Sequence, residues 1–150
     1  MIEESIHQTD PQWKQVEDPH SWCYFLATLY IAAWKLNVDC WHHEAIQTIW
    51  KKAEDFKDLG TDGATVLNPQ GLMDLVAGPN RATFLGHQAS TYPTASNQAE
   101  ILVYCKPNAS FNHFVVGDGK KGVLYDPWSP KGSDSVKSGR CVATRIWNIV

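Results

Sequence analysis

In the first half of the chain, apolar positions recur with the period of an α-helix. The clearest series is spaced by four, three, four and three residues: Trp22, Leu26, Leu29, Ala33 and Leu36. This spacing predicts a helix over residues 22–36, and apolar side chains on most of its other faces indicate that it is buried at the centre of the fold. Ser21 is the expected N-cap, which places Cys23 in the first turn.

Two further helices are predicted before the middle of the chain. Residues 42–59 combine an apolar stripe with a charged face, and Gly60 is a stop signal. A third, short helix begins with Asn68 as its cap and Pro69 in the first helical position, and it ends at residues 77–79. Residues 1–18 show no helical period and are expected to form an extended N-terminal segment.

After Arg81 the pattern changes to short apolar runs that are typical of strands. The candidate strands are residues 82–86, 101–106, 113–117, 122–126 and 141–150. Residues 92–98 and 129–139 are predicted loops. Helices first and strands afterwards favour a single α+β domain over residues 1–150, in which the helical part packs on a C-terminal antiparallel sheet.

Composition and charge narrow the function classes. Hydrophobic residues make up 43% of the 150 residues, and the net charge is −3, so no electrostatic basis exists for binding nucleic acid or an anionic membrane. No run approaches the roughly 18 apolar residues of a membrane helix, and the first residues lack the order of a signal peptide. We therefore expect a cytoplasmic protein, with export by another route left open.

The cysteine pattern does not indicate a disulfide scaffold or a zinc site. The four cysteines form no C-x-x-C pair and are expected to be free thiols. Residues 39–44 gather metal-ligating residue types, but only Cys40 and His43 have a suitable spacing and no second pair accompanies them. We expect the start of a helix there, capped by Asp39, and no metal or organic cofactor.

Cys23 is the first candidate for chemistry. A helix N-terminus carries a positive partial charge and unpaired N–H groups, which favour a thiolate over a thiol. The same amides can hold an oxyanion while a carbonyl is attacked. By position alone, Cys23 could equally be a small apolar residue of a core helix.

His113 and Asp126 are expected to face each other across a β-hairpin. With a two-residue loop at residues 119–120, opposed residue numbers sum to 239, so His113 lies opposite Asp126, roughly 5 Å away. Another even loop length would shift the partner by two residues and keep both groups on one face. A loop with an odd number of residues, or a bulge, would instead put the two side chains on opposite faces. A carboxylate so placed orients one imidazole nitrogen and leaves the other to exchange a proton with a thiol.

The order of these parts resembles the papain superfamily, and most closely its bacterial branch of bacteriocin-processing-type (C39-like) peptidases. In that branch a Gln precedes a Cys that opens the central helix, a His begins a strand, and a hairpin leads to an Asp-Pro pair. The matching residues are Gln15, Cys23, His113, Asp126 and Pro127. The resemblance covers roughly residues 15–128 and implies a papain-like fold that hydrolyses peptide or isopeptide bonds of a peptide or protein substrate. It also implies a Cys23-His113-Asp126 triad, with Gln15 as an oxyanion donor beside the Cys23 amide.

Two features depart from the family pattern. Tyr24 stands where a small residue usually follows the nucleophile, and Gln15 lies eight residues before Cys23 instead of six or seven. Gln15 would need one residue looped out to reach the site, and Gln12 is a poorer candidate. These departures keep two alternatives open: a papain-like binding module with weak or no catalysis, and a cell-wall peptide amidase of the CHAP type, which also uses Cys then His.

Overall fold

The computed structural model describes residues 2, 4–13, 21–60, 62, 65–88, 95–109 and 111–150. The helices are α1 (Cys23–Lys35), α2 (His43–Asp55), α3 (Pro69–Ala77) and α4 (Asp134–Ser138). The strands are β1 (Ala82–Gln88), β2 (Gln98–Cys105), β3 (His113–Gly117), β4 (Val123–Tyr125) and β5 (Arg140–Ile149). None of these helices is long and apolar enough to cross a bilayer.

Helix α1 is the buried centre of the molecule. Ten of its thirteen residues are buried, which confirms the prediction made from apolar side chains on nearly all its faces. The expected cap is wrong: Trp22 occupies the N-cap position, and its carbonyl accepts the first helical bond from the Leu26 N–H at 2.9 Å. No side chain caps this end, so Ser21 has no such role and Cys23 is the first helical residue.

The next two helices differ in how well local signals predicted them. The Asn68 side chain accepts a 3.0 Å bond from the Gly71 N–H, and Pro69 opens α3 as expected. Helix α2 ends at Asp55, earlier than expected, because Lys57 adopts a left-handed conformation with φ of 59° and stops the helical path. Its N-cap is His42, again without a side-chain cap, so the expected capping by Asp39 is wrong.

The five strands form one antiparallel sheet in the order β1-β5-β2-β3-β4, which confirms the α+β class. Helix α1 packs on β3 and α3, and Cys23 in its first turn is hydrogen-bonded to His113 at the start of β3. The predicted loop over residues 129–139 is wrong in part, since it contains α4. That helix has five residues, too few for an apolar period to register in the sequence.

Candidate active site

Cys23 lies at the wall of a cavity of about 470 Å³ that also contains Tyr24, His113 and Trp128. The thiol-bearing residue is 8% exposed and opens α1, so the cavity meets the N-terminal end of the buried helix. Backbone N–H groups in a first helical turn have no intrahelical acceptor and are available to a negatively charged oxygen. The cavity therefore combines a sulfur with a donor-rich helix end.

His113 and Asp126 are hydrogen-bonded, with 2.7 Å between Nε2 and Oδ1. The register that joins them differs from the expected one, because three residues, 119–121, separate the Asp118 N–H from the Gly122 carbonyl that it binds. A bulge follows, and Val116 pairs with Tyr125. The odd loop and the bulge each shift the pairing by one residue, so together they keep both side chains on one face.

Asp126 is held by four hydrogen bonds. Its Oδ1 accepts from His113 Nε2 and from the Trp128 N–H at 3.0 Å. Its Oδ2 accepts from the Ser133 N–H at 2.8 Å and from the Ser133 hydroxyl at 2.7 Å. Because each carboxylate oxygen has two donors, the group is fixed in position and is stabilised as an anion.

The environment favours an ion pair between the two side chains. Burial alone would lower the pKa of His113, but hydrogen bonds to Asp126 and Cys23, together with their charges, raise it to about 9. Burial would raise the pKa of Asp126, but its bonds to His113 and to the Trp128 N–H, with the imidazole charge, lower it to about 2. An imidazolium and a carboxylate are therefore the favoured forms near neutral pH.

The thiol of Cys23 and the carboxylate of Asp126 share one imidazole. A hydrogen bond and a charge interaction with Cys23 are among the causes that raise the pKa of His113. Since Nε2 is taken by Asp126, Nδ1 is the ring nitrogen that remains for Cys23. The three residues that sequence reasoning selected thus lie together, in the order thiol, imidazole and carboxylate.

The N-terminal segment packs beside this site. The Gln8 N–H donates to the Pro127 carbonyl at 2.7 Å, and the Thr9 N–H donates to the Trp128 carbonyl at 3.2 Å. Ile6 is fully buried. The segment is therefore built into the fold around the turn after Asp126, a role that its lack of a helical period did not reveal.

The residues of metal-ligating type in the segment 39–44 have other contacts. His42 Nε2 lies 2.7 Å from Asp39 Oδ1, and His43 Nε2 lies 2.8 Å from Asp10 Oδ2. Cys40 is buried, and burial raises the pKa of its thiol to about 11. Within the described part of the chain, no three His, Cys, Asp or Glu side chains are grouped to hold a metal ion.

One residue predicted for the site, Gln15, is not described by the structure, and two residues that the sequence analysis did not select lie at the cavity. Gln15 lies outside the described residues, and Gln12 is exposed. Ser133 and Arg145 both line the cavity. The sequence analysis did not select Ser133, because this residue stands in a Ser- and Gly-rich predicted loop. It did not select Arg145, because a charged residue within a strand pattern is typical of a solvent-facing position.

Comparison with known proteins gives one match. A family model described as "Protein of unknown function, DUF261" matches residues 5–149, nearly the whole chain. No curated protein matches the chain, and no solved structure does.

Proposed function

This chain belongs to the DUF261 family, whose function is unknown, and we propose that it is a cysteine peptidase with a papain-like fold. Cys23 is the nucleophile, His113 the general base and acid, and Asp126 the group that orients the imidazole. The observation that carries the proposal is the 2.7 Å bond from His113 Nε2 to Asp126, which leaves Nδ1 for the Cys23 thiol.

The first step, complete before the substrate reacts, is the proton transfer that creates the nucleophile. The S–H proton of Cys23 passes to Nδ1 of His113, and because the imidazolium is the favoured form of the ring near neutral pH, a thiolate beside an imidazolium is the state that meets the substrate. The Asp126 carboxylate stabilises that imidazolium and fixes its ring, because it binds Nε2 and is itself held by four donors. A positioned general base of this kind contributes about 10²–10⁴ in rate.

The second step is acyl transfer to sulfur. The thiolate attacks the substrate carbonyl carbon, and the carbonyl electron pair moves to oxygen, where the Cys23 N–H at the helix N-terminus donates a hydrogen bond. By the family resemblance, Gln15 is the second donor. The imidazolium then gives its proton to the leaving nitrogen as the C–N bond breaks, which leaves a thioester and a free amine.

The third step restores the enzyme. His113 takes a proton from water, the resulting hydroxide attacks the thioester carbonyl, and the C–S bond breaks. The products are a carboxylic acid and the Cys23 thiolate beside the protonated imidazole. No other reactant is required, so the balanced reaction is the hydrolysis of one amide bond.

Alkylation kinetics test the assignment of Cys23 and His113. The protein is treated with iodoacetamide near neutral pH, and the rate at each cysteine is followed by peptide mass spectrometry. We expect Cys23 to react faster than the partly exposed Cys105 and to slow at least about tenfold in His113→Ala, because the imidazolium no longer favours the thiolate. Cys105→Ala is the matched control and should leave the rate at Cys23 unchanged.

Hydrolysis of a quenched-fluorescence peptide library then tests the reaction itself. We expect turnover by the native chain and none by Cys23→Ala. Equal reactivity of Cys23 and Cys105, or a rate at Cys23 that is unaffected by His113→Ala, would rule out the peptidase mechanism. A reactive Cys23 without any hydrolysis would favour the binding-module alternative.

A further inference from the structure

Arg145 lies inside β5, opposite Ile101 of β2, and its side chain lines the same cavity as Cys23. The guanidinium carbon lies 5.0 Å from the centre of the Tyr24 ring and 4.8 Å from that of the Phe114 ring. The two rings also contact each other, with their centres 4.8 Å apart. Contacts with two aromatic rings restrict the position of the guanidinium, and its N–H groups are the atoms that remain to bind a ligand.

The charge of Arg145 has no protein counterpart in the described part of the chain. Its Nη1 is buried without a hydrogen-bond partner, and none of the ion pairs among the described residues includes it. The hydroxyl of Tyr24, a residue that also lines the cavity, is likewise buried without a partner. Buried polar atoms are nearly always paired, so an unpaired guanidinium nitrogen and an unpaired hydroxyl on two residues that line one cavity point to a ligand.

The other charges at this cavity are compensated. Lys106 forms an ion pair with Asp134, and both residues line the cavity. His113 is paired with Asp126. Among the described residues that line the cavity, Arg145 is therefore the cation without an ion-pair partner, and the other walls include apolar side chains such as Val66, Phe111 and Trp128. A charge-assisted bond to an anion is strong in such surroundings.

We propose that Arg145 is the subsite for a carboxylate of the substrate, so that the peptide cleaved at Cys23 carries an acidic group close to the scissile bond. This inference rests on the proposed peptidase function for the cleavage, but the binding of the carboxylate does not depend on catalysis. Its guanidinium fork binds the two carboxylate oxygens. The carboxylate belongs either to an Asp or Glu side chain or to a free peptide C-terminus.

Two matched pairs of peptides distinguish these sources. The first pair is acetyl-Ala-Phe-Ala with a free C-terminal carboxylate and the same peptide as its C-terminal amide. The second pair is acetyl-Ala-Phe-Glu-Ala amide and the corresponding Gln peptide. Binding to the full chain carrying Cys23→Ala, which cannot cleave by the proposed route, is measured by NMR titration, so a failure of the peptidase proposal does not affect the result.

We expect the acid form of at least one pair to bind about tenfold tighter than its neutral partner. Arg145→Gln in the Cys23→Ala background should abolish that preference, and Arg145→Lys, which keeps the charge without the fork, should retain part of it. Arg140→Gln is the matched control, because Arg140 lies on the same strand but is exposed; it should leave the preference unchanged. The NMR spectrum of each variant reports whether it is folded.

Equal binding within both pairs, including no detectable binding by any of the four peptides, would overturn the proposal. So would an acid preference that persists unchanged in a folded Arg145 variant. A preference confined to the first pair assigns a terminal carboxylate, and one confined to the second assigns an acidic side chain.

Discussion

The hydroxyl of Ser133 donates a 2.7 Å hydrogen bond to Oδ2 of Asp126, the carboxylate whose other oxygen holds His113. The same hydroxyl oxygen accepts a 3.3 Å bond from the Val136 N–H and so caps α4. Ser133 therefore links the start of a short helix to the orientation of the imidazole. It is a positioning residue in the proposed mechanism, because it acts on the imidazole through Asp126.

Replacing Ser133 by Ala should lower the reactivity of Cys23 without abolishing it. The carboxylate loses one of four donors but keeps the Ser133 N–H, so we expect the alkylation rate of Cys23 near neutral pH to fall about fivefold, which corresponds to about 1 kcal/mol. The accompanying readout is the ring titration of His113 by NMR, which a purely structural role would not shift. Ser138→Ala removes a hydroxyl at the exposed end of the same helix and serves as the control; equal effects of the two variants would exclude the positioning role.

Asp126→Asn should lower the pKa of His113. Burial lowers that pKa, whereas the bond to Asp126 and its charge raise it. When the charge is removed, the effect of burial is no longer offset to the same extent, and the pKa falls. We expect the imidazole, which titrates near pH 9 in the native chain, to titrate at least one unit lower in the variant. The measurement is the NMR shift of the His113 ring proton against pH, and an unchanged midpoint would contradict the ion pair.

The stability of the fold should decline in alkali because of His113. Although burial opposes the shift, the bonds to Asp126 and Cys23 raise the pKa from 6.5 to about 9, so the protonated ring stabilises the folded state. That stabilisation is fully present below pH 6.5 and is lost as the pH rises through about 9. We expect the free energy of unfolding to fall by on the order of 1–3 kcal/mol more in the native chain than in His113→Gln over this window. Urea unfolding of both proteins at the two pH values measures it, and parallel curves would contradict the linkage.

Tyr125→Phe should loosen the N-terminal segment. The Tyr125 hydroxyl donates a buried 2.6 Å bond to the Ile6 carbonyl, and its ring stacks on Tyr30 at 4.4 Å. Phe keeps the stack and removes the bond, so we expect a loss of about 1–2 kcal/mol in the free energy of unfolding. Urea denaturation measures the loss, and Tyr104→Phe is the control at a partly buried tyrosine. If both changes lower the free energy of unfolding equally, the bond from Tyr125 to Ile6 has no specific stabilising role.

Gly139→Ala should disrupt the junction between α4 and β5. A Cβ at this position would lie 2.2 Å from the Ser135 carbonyl oxygen and 2.6 Å from that of Cys105, and neither backbone oxygen can move aside cheaply. We expect a loss of at least about 2 kcal/mol in the free energy of unfolding, whereas Gly60→Ala, whose nearest neighbour is a side-chain oxygen at 3.3 Å, should cost less. Thermal unfolding of the two variants compares them, and equal midpoints would contradict the steric argument.

Elements with strong local signals were predictable from the sequence. The cap at Asn68 with Pro69 after it set the start of α3, and the run that begins at His113 matched β3 at both ends. Apolar side chains on most faces of α1 identified the buried helix, and with it the position of Cys23 at the N-terminal end. These predictions succeeded because caps, periodicity and burial are encoded by residues close together in the chain.

The hairpin illustrates where local reasoning reached the right contact through a wrong register. Sequence spacing indicated that His113 and Asp126 share a face, but it could not specify a three-residue turn followed by a bulge. His113 and Asp126 still share a face because the two one-residue shifts in strand pairing add up to two residues. Loop length and bulges depend on packing around the turn, such as the bond from the Gly119 N–H to Glu100, 19 residues away along the chain.

The sequence by itself determined the α+β class, the helix that presents Cys23, and the strand and turn that bear His113 and Asp126, because hydrophobic period and turn chemistry act over a few residues. Only the tertiary structure decided that Ser133 binds the carboxylate. It also decided that Arg145, which has no ion-pair partner among the described residues, lies against Tyr24 and Phe114 and lines the same cavity as Cys23. Those relationships join residues far apart in the chain, and their distances follow from how α1, α4 and the sheet pack, which no local pattern records.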